Sequence, residues 1–281
     1  KTITTESTKT KRYSCATLGS LLMNNHFHQM ILSLGVSELL GKLLNDNDVE
    51  VIFIATFTLH QLLKNDQGLT SCKDLTLELI RIIRDMKSCH PIYAVSCLRY
   101  LSIDDKIASN IIANGGLDSF HVVAAQADIE TLREIATVVC HLSTFSDLRD
   151  FIVQSPMFGS ILKFCELADS EASRFALGAV ANCVESPSVY SYLRNDLEGI
   201  VQMLTRTMKK KVLSQKREAC RAISNVLSLE NAMDIFLNVG GLNSVKTIFR
   251  CADGETQYSL ALTLRKLASR TSNHNIMMTN G

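Results

Sequence analysis

Apolar residues recur along this chain in a rhythm that belongs to helices, and the rhythm itself repeats. The stretch 171–185 reads Glu-Ala-Ser-Arg-Phe-Ala-Leu-Gly-Ala-Val-Ala-Asn-Cys-Val-Glu. With Asn182 taken as position n, equivalent residues fall at Ser20, Gln61, Tyr100, His141, Asn225 and Lys266, about 41 residues apart. Two positions before n stand Leu18, Leu59, Leu98, Val139, Val180, Ile223 and Leu264, all aliphatic; one position after n stand Leu21, Leu62, Leu101, Leu142, Cys183, Val226 and Leu267, all apolar. Position n−6 is mostly small: Ser14, Ala55, Ala94, Ile135, Ala176, Ala219 and Leu260. Offsets of −6, −2 and +1 trace the i, i+4, i+7 stripe of one helical face. A single unit of this kind cannot bury its stripe alone, so a fixed period near 40 residues predicts a solenoid.

A second landmark lies upstream of each such helix. Ile-Ala-Asn-Gly-Gly-Leu at 112–117 matches Phe-Leu-Asn-Val-Gly-Gly-Leu at 236–242, Leu-Gly-Val at 34–36 is a shorter form, and Met-Thr-Asn-Gly at 278–281 begins the same phrase. Glycine there permits the positive φ that ends a short helix and redirects the next. Each repeat therefore reads as short helix, glycine turn, second helix, polar turn and long third helix. The expected layout is a flexible lead-in at 1–10, a lone third helix at 11–23, complete repeats at 24–64, 65–104, 105–146, 147–185, 186–228 and 229–272, and an opening seventh at 273–281. Asp48 and Asp128 are expected N-caps, and Ser155-Pro156 is expected to cap and start a helix in place of the glycine turn. Gly68 is displaced from the usual turn position, and Pro91 suits a first helical turn. No linker rich in Pro, Gly or Ser interrupts 11–281, so a single continuous body is expected. A start at Lys1 and a stop inside a repeat's opening phrase suggest a piece of a longer protein.

Three helices per repeat, a Gly between the first two, and a third helix of the form small-x-x-x-aliphatic-x-Asn-aliphatic resemble the armadillo repeat. The core stands clearest at 176–182 and 219–225, and the resemblance covers essentially the whole chain. HEAT repeats, the near competitor, have two helices and lack the Gly-marked first helix. The resemblance implies an all-α, right-handed superhelical solenoid whose third helices line a concave groove. It also implies that positions n, n−4 and n−8 face an extended peptide, with Asn at n bonding the ligand backbone through both its donor and its acceptor.

Asn182 and Asn225 fit that role; Ser20, Tyr100, His141 and Lys266 depart from it, and Gln61 is the nearest substitute. Position n−8 holds Arg133, Arg174 and Arg217 in three successive repeats, with Arg221 one turn beyond Arg217. Guanidiniums repeated about one helix diameter apart, ~10 Å, suit carboxylates or phosphates on an extended chain. Such a row is also what a merely solvated surface presents. The candidate partner-binding residues are Arg133, Arg174, Asn182, Arg217, Arg221 and Asn225, for an acidic or phosphorylated protein segment. Towards the N-terminus Phe53 and Ile92 occupy the same position, which points to a more apolar groove suited to a helix.

Composition narrows the classes. The chain has 281 residues with Lys+Arg 29 against Asp+Glu 28, a net charge of +1. That balance, and a basic run limited to Lys209-Lys210-Lys211, argue against nucleic acid. The total absence of Trp argues against the Trp–Asn ladder that clamps basic localisation signals. No apolar run reaches the ~18 residues of a membrane span. Nine Cys without a CxxC read as reduced, packed thiols of an intracellular, cytoplasmic protein. His26-x-His28 lacks further ligands at metal spacing, and Cys140-His141 sits on a core helix where neighbours point about 100° apart. No P-loop, GxGxxG or GxSxG occurs. The expectation is a non-enzymatic scaffold or adaptor without cofactor. A structural rod in a cytoskeletal, ciliary or coat assembly, and a regulatory region attached to an enzyme, are the alternatives.

Overall fold

The computed structural model describes residues 7–85, 91–186, 188–250 and 252–280. Every regular element among them is helical, and the order follows the expected triplets. In the first repeat the short helix is His28–Ser33, the second Val36–Leu44 and the long third Val49–Leu63. The sixth has Ala232–Asn238, Gly241–Phe249 and Gly254–Ala268. Seven long helices carry position n near their C-terminal ends: Thr8–Leu22, Val49–Leu63, Ile92–Leu101, Ile129–Thr144, Ser170–Cys183, Leu213–Val226 and Gly254–Ala268.

The predicted stripe is the core. Ala55, Leu59 and Leu62, Ile135, Val139 and Leu142, and Ala176, Val180 and Cys183 are fully excluded from solvent. Burial of such side chains at roughly 25 cal/mol per Å² is what holds one repeat to the next. The stripe thins on the first long helix, where Leu18 is half-buried and Leu21 exposed.

Turn chemistry explains the corners. Gly35, Gly115 and Gly240 adopt φ of 73°, 77° and 76°, each between a short helix and the second helix. Asp48 accepts from Val51 N and Asp128 from Thr131 N, capping the helices that follow. Ser155 holds the N-cap position ahead of Pro156, yet its hydroxyl donates back to the Ile152 carbonyl, so it closes the preceding helix instead. Gly68 lies inside the helix Asp66–Ser71, where a Cβ would sit 2.8 Å from the Leu62 carbonyl carbon; close packing, not a turn, requires it. The lead-in is shorter than expected, since helix begins at Thr8; its residues 1–6 lie outside the described residues, as do Cys89, Cys251 and the closing Gly281.

Contacts group the chain into two compact units, Lys1–Leu142 and Ser143–Gly281. In the first, Val49–Leu63 packs against both Thr8–Leu22 and Ile92–Leu101; in the second, Leu213–Val226 packs against both Ser170–Cys183 and Gly254–Ala268. No helix among the described residues is long and apolar enough to cross a membrane.

Candidate functional site

Position n forms a ladder of polar links that reach back one repeat. Asn225 Nδ2 donates to the Ala181 carbonyl at 2.9 Å, and Lys266 Nζ donates to the Ser224 carbonyl at 2.6 Å and to Ser228 Oγ at 2.7 Å. Asn182 is engaged at both ends: its Nδ2 donates to Ser143 Oγ at 2.9 Å, and its Oδ1 accepts from Arg221 Nη1 at 2.7 Å. In the first unit His141 Nδ1 meets Ser102 Oγ at 3.0 Å. Each side chain spans to a carbonyl or hydroxyl near the C-terminus of the preceding long helix, where unpaired acceptors collect. Burial pulls the His141 pKa below its ordinary value, opposed by hydrogen bonding with the Arg99 backbone.

Position n−8 reaches forward instead. Arg12 pairs with Asp48 at 2.6 Å and with Glu50, and Arg217 pairs with Asp253 and, at 2.8 Å, with Glu255. Arg174 turns to Glu171 of its own helix at 2.7 Å and lies 3.8 Å over the Phe175 ring. Arg133, in the first unit, is half-buried and has partners of its own. Arg12, Arg174 and Arg217 therefore already hold internal carboxylates, and an anion arriving at one of them must exchange with its carboxylate. The N-cap Asp253 pKa falls to about 2 through hydrogen bonding with Thr256 and then Arg217.

Three of the six sequence-predicted residues converge. Arg217, Arg221 and Asn225 line a recess of about 520 Å³ between the helices Leu213–Val226 and Gly254–Ala268, closed on the far side by Tyr258 and Leu262. Tyr258 is 67% exposed, an aromatic face open to the recess mouth. Glu185, Glu218 and Glu255 stand around the same recess. Arg221 ties it to Asn182 and to the Gly178 carbonyl. Arg174 does not line the recess; it lies on the neighbouring long helix.

The long-helix face of the first unit is different. Phe53 and Phe57 contact Tyr93 at centroid distances of 5.7 and 5.1 Å, and His60 sits 5.4 Å from Tyr93 and 5.8 Å from Tyr100. Arg99 lies 4.1 Å over Tyr100. Burial, with Lys64 and Arg99 nearby, lowers the His60 pKa to about 4 and keeps its ring neutral. The expected apolar character of this half is thus an aromatic cluster, half-buried throughout.

The other candidates are structural. His28 is buried and its Nε2 meets the Leu22 carbonyl at 2.6 Å, while His26 is exposed; no group of metal-ligating side chains occurs among the described residues. Burial pushes the thiols of Cys72 and Cys220 up to about 12, away from nucleophilic use. Sequence reading missed the carboxylates that meet the arginines. Their signal was present, since Asp48 follows Arg12, and Asp253 follows Arg217, at one constant spacing.

Solved structures share this fold. An engineered protein from a structural-genomics programme matches with a TM-score of 0.88 at 20% identity, covering 99% of this chain and 70% of that one. A designed armadillo repeat protein in complex with a (KR)4 peptide matches with a TM-score of 0.70 at 16% identity, covering 81% of this chain and 98% of that one. Another designed armadillo repeat protein matches with a TM-score of 0.72 at 14% identity, over 82% and 98%. No family model matches the sequence, and no curated protein does. The chain has an armadillo-type, all-α repeat fold.

Proposed function

We propose that this chain is a non-enzymatic interaction module that holds an extended, acidic or phosphorylated protein segment against its long helices. Within the second unit the path runs past Arg174, Asn182, Arg217, Arg221 and Asn225, and Arg133 is a contact on the first unit's own long-helix face. The observation that carries the proposal is the recess beside Asn225. It joins an exposed aromatic ring, Leu262 and two guanidiniums on one face, which suits a segment with an apolar side chain next to an acid. Asn225 keeps its carbonyl oxygen clear of the bond that its Nδ2 makes to Ala181, and that oxygen can accept a ligand backbone N–H. At Arg217 a ligand acid exchanges with Glu255, whose side chain is exposed, and leaves the N-cap Asp253 in place. Such an exchange changes the charge count little, so specificity comes from register and affinity from the apolar contact.

The basic peptide held by the designed neighbour supports peptide binding as a use for this kind of face; its charge is not carried over. The test is selection from a random-peptide display library against the wild-type chain and against Asn225→Ala/Tyr258→Ala. Enrichment of acidic peptides with the wild type alone supports the proposal, and their binding should weaken with salt. Enrichment of Lys- and Arg-rich peptides overturns the charge assignment.

A second reading, a structural repeat rod within a larger assembly, is favoured by Asn182, whose amide is consumed at both ends by internal links. It expects no peptide to be enriched by either protein.

A further inference from the structure

Four long helices open on the same acidic pair, an Asp at n−13 and a Glu at n−11: Asp48 and Glu50, Asp128 and Glu130, Asp169 and Glu171, Asp253 and Glu255. In all four the Asp caps its helix, accepting from Val51, Thr131, Ala172 or Thr256 N. Two of the pairs, Asp48 with Glu50 and Asp253 with Glu255, also receive the guanidinium of the preceding repeat, from Arg12 and Arg217; ahead of Asp128 that position holds Ile92. Capping and pairing together make the corner a closed electrostatic joint.

The second repeat departs from this pattern, with Lys87 and Cys89 at the two positions, and so does the fifth. Its n−13 and n−11 residues are Val212 and Ser214, and Lys209-Lys210-Lys211 leads into them. The helix Leu213–Val226 consequently starts with no side-chain cap. Arg174 holds the n−8 position of the repeat before, and by the geometry of Arg217 it would reach forward to this corner. With no carboxylate there, it folds back onto Glu171 and Phe175. The three lysines make no ion pair among the described residues. Val212 and Leu213 are 42% and 44% exposed beside them. A corner that opens on an acidic pair in four repeats, and is closed by an arginine at Asp48 and at Asp253, is cationic, open and partly apolar in the fifth.

We infer that this corner is the docking subsite for an acid pair of the bound protein segment, which takes the place of the missing Asp and Glu. One carboxylate meets the Arg174 guanidinium, whose planar fork suits bidentate pairing. The second lies towards Lys210 and Lys211, and an apolar neighbour in the segment covers Val212 and Leu213. Glu171 is displaced readily, because an exposed pair at i, i+3 is weak. This deepens the proposed function and rests on it: it places an acid pair of the segment at the corner, in addition to the apolar side chain and neighbouring acid held at the recess.

The probe is a fluorescently labelled synthetic peptide containing Leu-Asp-Gly-Glu-Leu, with an Asn-Gly-Gln counterpart, read by anisotropy at low and high salt. The deciding variant is Val212→Asp/Ser214→Glu, which restores the acidic pair and lets Arg174 close the joint internally. It is expected to fold with an unchanged or higher Tm and to bind the acidic peptide roughly tenfold more weakly. Lys210→Gln/Lys211→Gln should also weaken binding, while Asn225→Ala/Tyr258→Ala isolates the recess. Unchanged binding by Val212→Asp/Ser214→Glu overturns the corner; if Asn225→Ala/Tyr258→Ala then loses binding, the recess stands without it. Loss in Val212→Asp/Ser214→Glu with none in Asn225→Ala/Tyr258→Ala supports the corner and refutes the recess. Co-sedimentation with phosphatidylserine vesicles without peptide binding assigns the cations to a lipid surface and overturns the inference.

Discussion

Asn182→Ala separates a ligand contact from a structural link. The wild-type amide donates to Ser143 Oγ at 2.9 Å and accepts from Arg221 Nη1 at 2.7 Å. A neutral side-chain hydrogen bond contributes about 1 kcal/mol. The bond to the guanidinium would contribute more if buried, but the Arg221 side chain is 37% exposed, so about 1 kcal/mol is the appropriate figure after solvent screening. Ala returns about 0.5 kcal/mol through its better helix propensity. The expected net loss is about 1.5 kcal/mol, read as a lower urea midpoint with unchanged m. A double-mutant cycle with Arg221→Ala should give a coupling energy of about 1 kcal/mol, because the cycle cancels the packing lost at each site alone. Asn225→Ala loses the donor bond to Ala181 and a long, exposed one to Glu185 at 3.5 Å, which adds little, and should cost about 0.5 kcal/mol after the same helix correction. A coupling below about 0.3 kcal/mol, within the additivity limit for independent sites, would show that Asn182 and Arg221 are not bonded in solution. Asn182 Oδ1 would then be open to a ligand, and that rung of the internal ladder would be refuted.

Adjacent glycines in the sixth repeat should fail for different reasons. Gly240→Ala meets open space but must hold φ at 76°, costing about 1–2 kcal/mol; Gly241→Ala drives a methyl into the buried Phe236 ring, an overpacking cost of about 1–3 kcal/mol that Phe236→Leu should relieve at position 241 only. Asp253 has a folded pKa near 2 against an ordinary 3.8, so its contribution is present above 3.8 and is lost as pH falls towards 2. Thermal melts across that interval should show a shallower acid loss for Asp253→Asn than for wild type. His60, lowered from 6.5 to about 4, makes the unfolded chain bind more protons between those values, so its neutral ring costs stability as pH falls through that window. His60→Phe should flatten that dependence, and a ring proton shift in NMR that titrates near 6.5 would refute the buried, neutral assignment.

Repetition makes the architecture legible in the sequence alone. Leu59, Val139, Val180 and Ile223 could be assigned to the core because a stripe recurring at one offset can be satisfied only by stacking. Gly115 and Gly240, and the caps Asp48 and Asp128, were equally readable, because a positive φ or an unpaired helix N–H is a local requirement answered by one residue type. Ser155 and Gly68 misled for the converse reason: a hydroxyl can serve either of two helix ends, and an absent side chain can serve a turn or a close approach.

The candidate site was only half legible. Counting from n placed Arg217, Arg221 and Asn225 on one face, and the recess between their helix and the next joins them with Tyr258 and Leu262. The same counting would have shown the acidic pairs at n−13 and n−11 and the gap at Val212 and Ser214. What no single position could show is which long side chain spends its charge on which neighbour. Arg174 and Arg217 occupy one register, yet one folds back to Glu171 and the other reaches forward to Asp253. A guanidinium on a flexible stem has several carboxylates within reach, so its partner is set by what the adjoining repeat offers, and only the stacked tertiary structure decides that.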